Sequence, residues 1–188
     1  MANNLITYEQ VLEETKKAVA ETLNIDLQKV TAESSLIKDL GAESLDFLDI
    51  NYRLEQKFGI KMARQFILEH VEEIFGEGSA IDDTGKLTDK AIELLKIRLG
   101  EKAEGLKPGI YIDEVTSLIT VSSLAHGVME ILQSLPDKCQ SCSSDKWKIA
   151  EELQIICTSC NEPAEYSNGD DLIRQYLEKV QAEKKIFA

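Results

Sequence analysis

All four cysteines of this 188-residue chain lie between positions 139 and 160, as Cys139-x2-Cys142 and Cys157-x2-Cys160 with fourteen residues between the pairs. No other feature constrains the local fold as tightly. Each pair can wrap two thiolates around one ion, and a short hairpin between the pairs closes a tetrahedral, all-sulfur set. Trp147, Ile149, Leu153 and Ile155 alternate with Lys148, Ala150, Glu152 and Gln154, which predicts two short strands. The tight turn after each second cysteine favours a left-handed residue. Ser143 and Asn161 stand there, and asparagine accepts that conformation more readily than serine. Zinc is the expected ion; iron in the same thiolate set and a dithiol redox pair are the alternatives. Four thiolates leave no open position for water, so the metal's expected role is structural. A segment of about 25 residues is too short to hold a core of its own, and the ion would supply its folding energy.

The remainder reads as mainly α. Apolar residues make up 43% and charged residues 29%, enough for a packed core. Helical periodicity runs from Thr7 to Leu23, with Thr7 and Gln10 as a capping box. A long connection, Asn24 to Glu43, follows, anchored by Val30, Leu36, Ile37 and Leu40. A second helix spans Ser44 to Phe58, apolar along Phe47, Ile50, Leu54 and Phe58, with Gly59 as its stop. Further helices are expected over Met62 to Phe75, from Thr88 to Leu99, and from Val121 to the boundary at Pro136. The last covers Asp170 to Phe187. His70 and His126 lie on helical patterns without a partner cysteine and read as core-edge or surface residues.

With 21 basic against 34 acidic residues, the chain has a net charge of −13. Such a surface repels phosphate backbones and anionic lipid, so nucleic acid and membrane are poor partners and basic proteins good ones. No apolar run reaches the ~18 residues needed to span a bilayer. The opening Met-Ala-Asn-Asn-Leu-Ile-Thr lacks the charged and apolar regions of a secretory leader, giving a cytoplasmic expectation.

Ser44 is the candidate for chemistry. It opens an acidic helix after a glycine turn, where free N–H groups and the helix dipole suit a phosphate. A serine at a helix start is also an ordinary N-cap. The surrounding run Asp39, Leu40, Gly41, Ala42, Glu43, Ser44, Leu45 and Asp46 decides between them. It resembles the acyl carrier protein signature, Asp-Leu-Gly, two residues, then Ser-Leu-Asp. The resemblance covers residues 6–62 and resumes at about 120–132. It implies a helical bundle in which Ser44 carries a 4′-phosphopantetheine arm holding an acyl thioester. It also implies that Glu43, Asp46, Asp49 and Glu55 form a recognition helix. The implied partners are a phosphopantetheinyl transferase and acyl-loading and acyl-using enzymes with basic docking patches. The cysteine segment resembles a zinc ribbon over residues 137–165.

This chain departs from the family's pattern in four places. Glu43 replaces an aspartate, Arg53 adds a positive charge to an acidic helix, and Asn51 stands where the family often has an aliphatic residue facing the acyl cavity. Residues 62–119 replace a short loop and helix, as in longer, specialised carriers. The expected organisation is a carrier domain over 1–136 with an insertion at 62–119, a ribbon over 137–165 and a C-terminal amphipathic helix over 166–188. The function that follows is a non-catalytic acyl carrier with a zinc ribbon as docking or stabilising module. The alternative is a metal-binding adaptor or rubredoxin-like electron-transfer protein with a carrier-like interaction bundle.

Overall fold

The computed structural model describes residues 5–187; Met1–Asn4, on which the reading of the leader partly rests, lie outside the described residues. Helix α1 is Tyr8–Leu23. Its capping box is formed: Thr7 N–H donates to Gln10 Oε1 at 2.9 Å and Gln10 N–H donates to Thr7 Oγ1 at 3.3 Å. Helix α2 is Ser44–Phe58, closed by Gly59 at φ +66. Then come α3 (Ile67–Phe75), α4 (Asp89–Leu99), α5 (Ile112–Thr116) and α6 (Val121–Leu132). An antiparallel hairpin, β1 (Trp147–Ile149) and β2 (Ile155–Cys157), pairs Trp147 with Cys157 and Ile149 with Ile155. Helix α7, Gly169–Lys184, completes the order.

The chain forms two compact units. The first runs up to Met62 and resumes over Ile119–Gly169; the second comprises Ala63–Leu118 and the segment from Asp170 on. The first contains α1, α2, α6 and the hairpin. Val11 and Val19 of α1, Ile50, Leu54 and Phe58 of α2, and Val121, Ala125 and Val128 of α6 are fully or nearly fully buried. The connection after α1 is pinned to the start of α6 by backbone bonds. Leu36 N–H donates to Ile119 O at 3.0 Å, Val121 N–H to Ser34 O at 3.1 Å and Ser122 N–H to Ala32 O at 2.8 Å. Leu36 is fully buried. A twenty-residue connection, regular only in a short 3₁₀ turn at Leu27–Lys29, is thereby held in place.

In the second unit, Leu68, Val71, Ala91, Leu94, Leu95 and Leu177 belong to one apolar cluster. Two expectations need correction here. The third helix starts at Ile67 rather than Met62, because the N–H groups of Arg64 and Gln65 donate to the Asp170 carboxylate at 3.0–3.2 Å instead of entering a helix. Between Gly109 and Val121, where the sequence predicts no element, a short helix, α5, forms. His70 is neither at the core edge nor on the surface: it is fully buried, with Nε2 at 3.0 Å from Asp170 Oδ1.

Candidate functional site

The turn that presents Ser44 is built from its own backbone. Ser35 N–H donates to Asp39 Oδ2 at 2.7 Å, Gly41 N–H to Ile37 O at 3.1 Å and Ala42 N–H to Leu36 O at 2.8 Å. Gly41 sits at φ +72 with no atom within 4 Å of a hypothetical Cβ. Its requirement is therefore conformational rather than steric. Ala42 is buried and anchors the turn; Glu43 and Ser44 are exposed.

Glu43, not Ser44, is the N-cap of α2. Glu43 N–H donates to Asp46 Oδ2 at 2.7 Å. Ser44 is the first helical residue, so its hydroxyl is not committed to capping, and the bland reading of this serine does not hold. Leu45, Leu48 and Tyr52 are exposed on the same helix, at 78%, 52% and 57%.

The acidic residues of α2 divide by what they touch. Glu43 is exposed, while Asp46 holds the cap. Asp49 Oδ2 accepts from Thr22 Oγ1 at 2.6 Å and from Arg53 Nε at 2.8 Å. The Arg53 and Thr22 donors hold its carboxyl below the usual aspartate range. Arg53 also reaches Glu21 at 2.7 Å, so the charge that departs from an acidic helix is neutralised between α1 and α2. Glu55 Oε1 accepts from Met62 N–H at 2.8 Å.

The four thiols converge as their spacing predicts. Sγ of Cys139, Cys142, Cys157 and Cys160 all lie within 4.8 Å of one another. The Cys139–Cys160 and Cys142–Cys157 sulfurs are 3.6 and 3.5 Å apart. Tetrahedral bonds of about 2.3 Å to one ion require sulfur separations of this size. The two knuckles repeat each other. Cys139 N–H donates to Ser144 O and Cys157 N–H to Glu162 O, while Ser143 N–H returns to Cys139 O and Asn161 N–H to Cys157 O. Ser143 and Asn161 have φ of +60 and +61. Burial pushes the Cys157 thiol up, yet the N–H groups of Cys160 and Ser159 outweigh it and bring the thiol down to about 6. Glu162 N–H pulls the Cys160 thiol down, but burial and the surrounding thiols push it up to about 12. Four thiols this close oppose one another's ionisation unless a cation sits among them.

The hairpin is part of the first unit. Its tip places Glu152 and Leu153 at φ +59 and +60 and bears on the end of α2. Lys57 Nζ lies 3.2 Å from both Glu14 and Glu152, and Gln154 Nε2 donates to Gln56 O at 2.9 Å. A Cβ at Gly59 would meet Gln154 at 3.4 Å. Sequence reasoning missed this contact because its partners are about a hundred residues apart.

A family model for the phosphopantetheine attachment site matches residues 13–74. The acyl carrier protein of Helicobacter pylori strain G27 is 37% identical over 71 residues, covering 38% of this chain and 86% of that protein. The chain belongs to the acyl carrier protein family. The acyl carrier protein of Thermotoga maritima is 41% identical over 54 residues, 29% of this chain and 67% of its own. The acyl carrier protein AcpXL of Mesorhizobium japonicum is 50% identical over 46 residues, 24% and 50% of the two chains. This carrier therefore contains a phosphopantetheine-attachment domain, and the four-cysteine cluster is a candidate metal centre. No described helix is long and apolar enough to cross a membrane.

Proposed function

We propose that Ser44 is the attachment residue and that the chain delivers acyl groups to partner enzymes without catalysing their chemistry. The observation that carries this reading is the exposed Ser44 at the first position of α2, after the Asp39–Gly41 turn and relieved of capping by Glu43. When attached, the arm supplies a thiol that holds an acyl group as a thioester. The start of α2 would favour the charge of a phosphodiester on Ser44 through its helix dipole and N-terminal N–H groups. The turn holds Ser44 clear of the core, within reach of a transferase.

Glu43 with Leu45, Leu48 and Tyr52 offers partner enzymes an acidic and apolar face beside Ser44. Asp46, Asp49 and Glu55 add negative potential while also holding the helix. Charge of this kind speeds encounter with basic patches more than it lengthens residence, which suits a carrier that must release its partner. Cys139, Cys142, Cys157 and Cys160 would hold one structural zinc, with no coordination position left for chemistry. The zinc hairpin stabilises the end of α2 through Gln154 and Glu152, leaving Ile149 and the knuckles for docking.

Incubation with coenzyme A and a phosphopantetheinyl transferase, followed by intact mass, tests the reading. One arm should be added per chain, and Ser44→Ala should accept none while keeping its melting temperature. Modification of the Ser44→Ala protein, or a wild type that several transferases leave unmodified, would overturn it.

A further inference from the structure

Asn51 interrupts the inward stripe of α2. Phe47, Ile50, Asn51, Leu54 and Phe58 share one face at helical spacing, and Ile50, Leu54 and Phe58 are fully buried. The Asn51 residue is half-buried, but its Oδ1 is fully buried and has no hydrogen-bond partner. A buried acceptor left without a donor is a rare and costly feature. No neighbouring backbone N–H takes it, although Ile50 and Leu54 beside it on the inward face are fully buried. An aliphatic side chain here would extend the stripe at no such cost.

The oxygen's place on the helix supplies a reason. Ser44, Phe47 and Asn51 follow one another at three and four positions, so all lie on one side of α2. Asn51 is seven residues beyond Ser44, about 10.5 Å along the axis at ~1.5 Å per residue. A chain tethered at Ser44 that folds against this face would pass the oxygen.

We propose that Asn51 is a specificity-determining residue: its Oδ1 accepts a hydrogen bond from an O–H or N–H donor on the acyl group tethered at Ser44. The cargo class is then an acyl chain bearing a polar donor, such as a hydroxyacyl group, rather than a plain saturated chain. A saturated chain leaves the oxygen unpaired, whereas a hydroxyl along it supplies the missing donor and is itself desolvated with a partner. This inference rests on Ser44 being the attachment residue.

The test compares the wild type with Asn51→Leu in five states: apo, arm alone, and loaded with octanoyl, 3-hydroxyoctanoyl or 8-hydroxyoctanoyl groups. Readouts are the melting temperature and the NMR shifts of the Asn51 side-chain amide. Apo Asn51→Leu should melt about 2–4 °C higher than apo wild type, since it removes an unpaired buried oxygen. In the wild type, at least one hydroxyoctanoyl group should raise the melting temperature more than octanoyl and shift the Asn51 amide. The order should reverse in Asn51→Leu. If that variant fails to fold, the amide shift in the wild type decides alone. Equal responses to all three acyl groups would overturn the inference while leaving the carrier reading intact. A full amide shift with the arm alone would assign the donor to the arm and overturn the cargo class. Failure to load Ser44 at all would overturn the carrier reading and this inference with it.

Discussion

The two compact units solve the same problem, closing a chain on itself over long sequence distances, with different chemistry. In the first, α1, α2 and α6 share a small apolar core, and the segment between α6 and Gly169 folds around four thiols. In the second, the apolar cluster that includes Leu94 and Leu177 is joined by a polar knot. There Asp170 accepts from Arg64 N–H, Gln65 N–H and His70 Nε2, and Arg174 reaches Glu73 at 3.2 Å. The first unit exposes its chemistry, at Ser44 and the knuckles. The second buries one imidazole, His70, against a partly exposed Asp170 and uses the pair as structure. A buried histidine is therefore not by itself a sign of catalysis: His70 has a structural partner and no nucleophile beside it.

The sharpest way to break this comparison is to remove the metal proposed for the four thiols. Chelation, or Cys139→Ser and Cys160→Ser, should release one zinc per chain and abolish hydrogen-exchange protection over 137–165, since that segment has little core. Amides of α4 and α7 should keep their protection. Retained order over 137–165 without metal would remove the difference between the units.

A smaller effect is expected from Asp170→Ala. It strands two backbone donors and His70, and should destabilise the second unit by about 2–4 kcal/mol in denaturant unfolding. Burial alone would raise the Asp170 carboxyl, but the Arg64 and Gln65 N–H groups and His70 together hold it below its ordinary value. A depressed carboxyl contributes stability that is present above the unfolded aspartate value, about pH 3.9, and is lost as pH falls through the folded one. The wild type, not the variant, should therefore lose stability in that acid window. A parallel acid response in Asp170→Ala would remove Asp170 from the account.

Gly41→Ala should cost about 1–2 kcal/mol through its positive φ and slow arm transfer to Ser44, with no change in zinc content. Wild-type loading rates would mean the turn does not position the serine.

The smallest effect concerns charge. Asp46→Lys with Asp49→Lys should slow loading several-fold at low salt. The difference should fade above about 0.15 M, where screening acts over ~8 Å. Equal rates at low salt would confine these carboxylates to their contacts with the Glu43 backbone, Thr22 and Arg53.

By itself the sequence determined whatever depends on near neighbours. The capping box of Thr7 and Gln10, the extent of α2 with its Gly59 stop, the Gly41 turn before Ser44 and the left-handed Ser143 and Asn161 were all legible, because spacing and backbone preference act within a few residues. The start of α3, the burial of His70, the seating of Gln154 on Gln56 and the unpaired oxygen of Asn51 were not. Each depends on what long-range folding brings to a group or leaves it without: Asp170 meets His70 from a hundred positions away. A local pattern states which groups a residue offers. Only the tertiary structure decides which of them find a partner, because the partner's approach is set by packing of the whole unit.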